Sequence, residues 1–255
     1  MGAQARVVAG RGSSLLVVRA RQWIHFIVLP LAGGIELFPL VMAAALLSYA
    51  YGLNAISDRA TDLDERKNPL AGVADCRAAL VVVLAAGGAA FGMSLLFSPI
   101  VRAAVAISLA SATVYSVGPR AKRVPVVGTL TNLGIFAPLL WLGRERPLGI
   151  EMVAFAVLLL QNQLLHERAD TAEDQAAGVR STAAALGARG TVFAILALGI
   201  VGIAGSIALS SLGGAIGIVF ASTLPLAFEA ESEQRLAHRW IAFLAGAAIF
   251  IGAGA

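Results

Sequence analysis

Asn54-Ala-Ile-Ser-Asp58-Arg-Ala-Thr-Asp62-Leu-Asp64-Glu65-Arg66-Lys67-Asn68-Pro69 puts four acids and three bases at the end of a long apolar segment. Asn54, Asp58 and Asp62 are spaced i, i+4, i+8. On a helix they fall on one face, drifting by roughly 80° over the series. A second stretch repeats the device, with Asn162, His166, Asp170 and Asp174 at the same spacing. Two acidic ladders at the water-facing ends of apolar segments need a reason, and the simplest is a divalent metal holding a polyphosphate.

The rest of the chain is built to sit in lipid. Of 255 residues, 58% are apolar and 13% charged, with a mean hydropathy of +0.83. Such a composition excludes an ordinary soluble domain. Apolar runs of about 20 residues match the thickness of a bilayer core. They predict an all-α polytopic membrane protein forming one domain over residues 1–255. Nine spans are expected, near 14–33, 35–56, 77–97, 99–117, 124–142, 147–166, 190–210, 212–229 and 237–254. The first is interrupted by Arg19, Arg21 and Gln22, and no cleavable signal is expected. Gly- and Ala-rich spans allow close helix approach. Prolines such as Pro138 and Pro225 call for neighbouring helices to satisfy freed backbone groups. The single cysteine, Cys76, excludes an internal disulfide.

Nine spans sort the bases. The N-terminal part and the loops after spans 2, 4, 6 and 8 share one side. Only Arg102, Arg144 and Arg146 of the 19 bases lie on the other. The positive-inside rule then makes both acidic loops cytoplasmic, in an integral membrane protein expected in a bacterial inner membrane. Most of the 15 acids crowd these two loops.

Carboxylates bind Mg²⁺ through few oxygens and leave room for water and substrate phosphate. Asp58, Asp62, Asp170 and Asp174 are the candidate metal ligands. Asn54 can add a neutral oxygen or orient a carboxylate. The alternative is a solvated loop whose acids pair with Arg59, Arg66 and Lys67. Tyr115-Ser-Val-Gly-Pro-Arg120-Ala-Lys122-Arg123 supplies three bases. They either grip phosphate oxygens or anchor the topology. Tyr115 is an interfacial residue or a cavity-lining hydroxyl. Asn132, Asn162 and His166 either meet a polar substrate or hydrogen-bond between helices. No zinc spacing, P-loop or nucleophilic triad is present, and neither nucleic acid nor a protein partner is suggested.

Taken together, these motifs resemble the UbiA-type intramembrane prenyltransferase superfamily, the relatives of 4-hydroxybenzoate polyprenyltransferase. Asn54-x3-Asp58-x3-Asp62 looks like its first aspartate-rich motif. Asp170-x3-Asp174-x2-Ala-Gly178, running on to Thr182 and Leu186-Gly187, looks like its second. Tyr115 to Arg123 looks like its tyrosine–basic loop. The resemblance implies nine helices around a central cavity open laterally to lipid. It implies Mg²⁺ held by both motifs and bridged to a prenyl diphosphate. Ionisation to an allylic carbocation and capture by an aromatic or other lipophilic acceptor would follow. Asn54, Asp58, Asp62, Asp170, Asp174 and Tyr115 would form the catalytic group. Arg66, Lys67, Arg120, Lys122 and Arg123 would bind diphosphate, with Asn132, Asn162 and His166 on the acceptor side.

The chain departs from the family pattern at Ala55, where many members carry aspartate, at Asn68, where many carry arginine, and at His166, where many carry an acid or amide. Two competing functions stand beside transfer. A cyclase of the same type would guide a cation with aromatic faces, and aromatics are 7% of this chain. A transporter would place acids near the midplane, whereas here they crowd one end.

Overall fold

The structure is a computed structural model that describes residues 17–29, 36–62, 68–118, 120–143, 149–176 and 178–254. Among them there is no strand. The helices are α1 (Ala20–Trp23), α2 (Leu37–Asp58), α3 (Arg77–Ser94), α4 (Pro99–Ser116), α5 (Val127–Phe136), α6 (Glu151–Ala169), α7 (Thr171–Ala176), α8 (Thr182–Ala208), α9 (Leu212–Thr223) and α10 (Glu231–Gly254). Short 3₁₀ turns extend α1, α5 and α9. The all-α reading holds. Among the described residues α2, α3, α4 and α8 are long and apolar enough to cross a bilayer, and 127–141 and 212–227 form shorter apolar helices.

The first expected span takes a different form. Its described part is one turn of α-helix passing into 3₁₀ helix at Ile24–Val28. Trp23, Phe26 and Leu29 of this segment are buried, and the Trp23 indole donates to the Val18 carbonyl. It therefore packs into the bundle as an irregular inner element.

Prolines explain two other departures. Pro138 and Pro225 lack an N–H, so the last turns of α5 and α9 tighten to 3₁₀. Where the helix tightens, the Ile135 carbonyl accepts from Ser108 Oγ of α4 at 2.7 Å, the kind of support by a neighbouring helix that a membrane interior demands. The seventh expected span begins too late. Helix α8 starts at Thr182 and bends at Gly187, whose φ of 69° and ψ of 172° only glycine adopts readily.

Helix α2 packs on α3 and α4, α4 on α5, and α5 on α6. Helix α6 meets α8 and α10, and α9 lies against α8 and α10. The buried core runs through this ring, from Met42, Leu46 and Leu47 of α2 to Phe155 and Leu158 of α6 and Ile218 and Ile249 of α9 and α10. Large apolar side chains such as Leu96, Phe193, Ile200 and Leu212 point outward. That surface suits lipid and would be a liability in water.

Close approach sets the α9–α10 contact. A Cβ on Gly217 would lie 2.6 Å from Ala245 Cβ and 2.8 Å from its Cα. We expect Gly217→Val to destabilise the fold by about 1–3 kcal/mol through overpacking. Gly88→Ala, which meets open space, should be neutral or slightly stabilising. Thermal unfolding of the detergent-solubilised variants checks both, and equal melting temperatures would refute the packing argument.

Candidate active site

Asp58 is the last residue of α2 and is buried. Two bases hold it. Arg120 Nη2 donates to Oδ1 at 2.7 Å, and Lys122 Nζ donates to Oδ2. Lys122 also donates to Asn54 Oδ1 at 3.2 Å, one helical turn deeper. The spacing of Asn54 and Asp58 thus serves one cation. Ser57 Oγ donates to the Ser116 carbonyl, which ties the end of α2 to the end of α4 where the basic turn begins. Gly118 and Arg120 both have positive φ, 66° and 49°, so the chain reverses sharply and points both bases back at α2. A left-handed arginine costs roughly 1–3 kcal/mol, and the ion pairs offset it.

The ladder is not one continuous helix. α2 stops at Asp58, and Asp62 lies in the turn beyond, with its N–H still donating to the Asp58 carbonyl at 2.8 Å. The second ladder breaks in the same manner. Asp170 ends α6 and Asp174 sits on α7, its N–H donating to the Asp170 carbonyl at 2.8 Å. Gly178 then closes α7 with a φ of 67°. Val179 N–H donates to Asp174 O at 2.7 Å and Gly178 N–H to Gln175 O at 3.1 Å, a Schellman closure that favours glycine.

The two motif loops feel each other electrostatically. Burial, with Asp58 and Glu173 beside it, raises the Asp62 carboxyl above the usual range. Burial, with Asp170, Glu167 and Glu173 nearby, pushes Asp174 up to about 6 against the pull of Lys122. Burial also lowers Lys122, although Asp58 opposes the shift. These are carboxylates that a cation would relieve. Their hard oxygen donors fit Mg²⁺. Among the described residues no three acids, histidines or cysteines are drawn together as a ligand set; instead the bases of the turn take up Asp58.

The model of the UbiA prenyltransferase family matches residues 20–239. The chain belongs to the UbiA prenyltransferase family. Its fold is similar to that of a UbiA homolog from Archaeoglobus fulgidus bound to GPP and Mg²⁺, at 18% identity and a TM-score of 0.71, covering 96% of this chain and 100% of that one. The apo UbiA homolog from Aeropyrum pernix K1 aligns at 18% identity and a TM-score of 0.66, over 93% and 97%. Digeranylgeranylglyceryl phosphate synthase aligns at 13% and 0.65, over 94% and 97%. A search of curated proteins by sequence finds no match.

As in the UbiA-like expectation, a cavity lies at the centre of the bundle. Asn54, Tyr51, Tyr115, Asn132, Asn162 and His166 line it, with Phe26 and Phe136. Asn132 donates to Gln163 Oε1, so its amide is held by α6. His166 Nδ1 lies 3.1 Å from Asp170 Oδ2, within ion-pair range but not aligned for a hydrogen bond. Arg123 is exposed and forms no ion pair with Asp58. Arg66 and Lys67 lie outside the described residues.

Two features escaped the sequence reading. Glu167 looks like one more loop acid, yet it is a buried fastener. Thr129 Oγ1 donates to its Oε1 at 2.8 Å, Gln163 Nε2 donates to the same oxygen at 3.0 Å, and Ala183 N–H at the start of α8 donates to Oε2 at 3.0 Å. A carboxylate at a helix N-terminus is favoured by the free N–H groups there. Glu167 thereby joins α5, α6 and α8 and fixes where the second motif leaves the bundle. Asn68 is the other. Its amide donates to the Ala55 carbonyl at 3.0 Å and its oxygen accepts from Leu70 N–H at 3.0 Å, clamping the loop to α2.

The raised Asp174 has a checkable consequence. Between its ordinary value of 3.8 and about 6, the folded protein keeps a proton that the unfolded chain has lost. Metal-free stability should therefore fall as pH rises through that window. Mg²⁺ displaces the proton, so its stabilising effect should grow as pH rises through 6. Melting curves in EDTA and in Mg²⁺ at pH 5 and 7.5 test this. Asp174→Asn should flatten the EDTA series, and an unaltered slope would overturn the assignment.

Proposed function

We propose that the protein transfers a prenyl group from a prenyl diphosphate to a lipophilic or aromatic acceptor in a Mg²⁺-dependent reaction. The observation that carries this reading is the meeting of Asp58 with the basic turn at the polar end of a central cavity, with Asp174 acting on the same Lys122. A UbiA homolog from Archaeoglobus fulgidus binds DMAPP and Mg²⁺ in the same fold, which supports it. The motif loops would face the cytoplasm of a bacterial inner membrane.

Asp58, Asp62, Asp170 and Asp174, with Asn54, are the residues that would hold Mg²⁺, and the ion would supply Lewis-acid neutralisation of the diphosphate. Arg120 and Lys122 are already at the mouth. On donor binding they would turn from Asp58 to the phosphate oxygens and leave the carboxylate free. Arg66, Lys67 and Arg123 would add to the grip. The allylic C–O bond breaks with its electron pair leaving on diphosphate. The acceptor nucleophile forms the new bond and releases a proton to water. Tyr115 would present its ring and hydroxyl to the reacting centre, and Asn132, Asn162 and His166 would orient the acceptor.

One observation favours a second reading, cyclisation without an acceptor. The aromatic content is low and many aromatics face outward, but Phe26, Tyr51, Tyr115 and Phe136 line the cavity. Phe26 and Phe136 stack at 4.2 Å, and Tyr51 meets Phe136 edge-on at 6.3 Å. Such a wall can steady a migrating cation. Product mass with and without aromatic acceptors separates the two. A transporter would show no Mg²⁺-dependent turnover at all.

Asp58→Asn and Asp174→Asn should each lower kcat by roughly 10²-fold or more, the scale of a lost transition-state electrostatic contact. The double variant should lose less than the product of the two, because both act as one unit. Losses that simply multiply would argue for separate sites, and turnover in excess chelator would end the metal reading.

Replacing Arg120 and Lys122 together with Gln should raise the donor KM, and lower kcat if the contact tightens as charge develops on the leaving group. It also strips Asp58 of both partners, a change that costs about 3–5 kcal/mol for a buried ion pair. The same variant should therefore melt at lower temperature in EDTA and recover in Mg²⁺. Wild-type kinetics with normal membrane insertion would return these bases to the role of anchors.

A further inference from the structure

Arg235 and Arg239 stand one turn apart on α10. By sequence they are ordinary positive-inside bases. In the fold they do not face the lipid. Leu236, Trp240 and Leu244 are among the exposed side chains of that helix, whereas Arg235 and Arg239 line the central cavity beside Tyr51, Asn162 and His166. The Nε of each arginine is buried with no hydrogen-bond partner. Among the described residues the titratable groups that line the cavity with them are Tyr51, Tyr115, His25 and His166, and no carboxylate is among them. The acid one turn before Arg235, Glu231, is taken by Arg168 at 3.1 Å.

This orientation is held from outside the cavity. The Arg168–Glu231 pair fixes the start of α10 on α6. Buried His238 meets Gln161 Oε1 at 3.3 Å, and Gln161 in turn donates to Ser222 Oγ and the Ile195 carbonyl, both at 2.8 Å. With His238 turned to α6, Arg235 and Arg239 are turned inward. Burying guanidinium groups without a counter-charge is costly, and two adjacent forks match a carboxylate or phosphate. The same helix face then turns apolar. Below Arg239 an arm of the cavity runs between Phe26 and Leu29, Phe155 and Leu158, and Ala242 and Gly246. Its shape is that of an amphiphile, charged at one end.

We propose that Arg235 and Arg239 bind the anionic head group, carboxylate or phosphate, of the lipophilic acceptor, whose apolar body lies in this arm. The inference rests on the transfer reading above and sharpens it, since a cyclase has no use for a second anion site. It draws on other residues than the proposed diphosphate site, whose acids and bases come from α2, α7 and the turn after α4, although both open on one cavity.

The test uses the full chain in neutral detergent with EDTA present. Decyl phosphate, decanoate and decanol are titrated, and binding is read by thermophoresis. One of the two anions should bind about tenfold or more tighter than decanol, and which one names the head group. Arg235→Gln with Arg239→Gln should abolish that preference. Arg235→Lys with Arg239→Lys should keep part of it, which guards against simple misfolding. Arg189→Gln, on the exposed face of α8, should leave it intact. In parallel, binding of geranyl diphosphate with Mg²⁺ should be unchanged in the Gln pair. Wild-type anion preference in the Gln pair would overturn the proposal. So would an equal loss of geranyl diphosphate binding, which would assign both arginines to the donor. If wild-type protein shows the anion preference but no Mg²⁺-dependent geranyl diphosphate binding, the anion site stands and the transfer reading falls.

Discussion

The Asp58 carboxylate sits at the end of an apolar helix, largely out of water, where an unpaired charge is costly. Arg120 and Lys122 neutralise it. Much of the site follows from that pairing. It draws the turn after α4 across the end of α2, which is why Arg120 accepts a left-handed backbone. It brings Lys122 within reach of Asn54 and within the field of Asp174. In the transfer reading proposed above, the same groups would serve a second arrangement, with a cation on the carboxylate and an anion on the bases.

The second motif is supported by a different device. Glu167 is buried but not free to act, since three donors from α5, α6 and α8 saturate it. It fixes the frame, so that Asp170 and Asp174, a turn and two turns beyond it, project past the bundle. Acids of the same type thus divide their work by depth. The deep one is satisfied and structural. The shallow Asp174 is crowded by Asp170 and raised above the usual carboxylate range. The cavity below divides its work likewise, with amides and a histidine near the motifs and aromatic and aliphatic side chains further in.

Much of this was legible in the sequence. Apolar runs of bilayer length gave the helices, because lipid leaves backbone groups no partner but one another. The spacing of Asn54 with Asp58 and of Asp170 with Asp174 gave each candidate pair, because helical periodicity is local. Element ends were less legible. The breaks at Asp58, Pro138 and Gly187 depend on whether a neighbouring group can satisfy the freed carbonyls and N–H groups, and a neighbour is not a property of the segment.

What the sequence by itself determined is therefore the all-helical membrane class, the local pairing of Asn54 with Asp58 and the family. What only the tertiary structure decided is which groups meet. Asp58 could have paired with Arg59 close by but pairs with bases 62 and 64 residues away. Glu167 looked solvated and is buried. Phe26, Tyr51 and Phe136, far apart in the chain, meet on one cavity wall. Arg235 and Arg239 looked like anchors and turn inward. The reason is the same each time. Periodicity fixes a side chain's angle about its own helix axis, but the direction of that angle is set by helices distant in the chain.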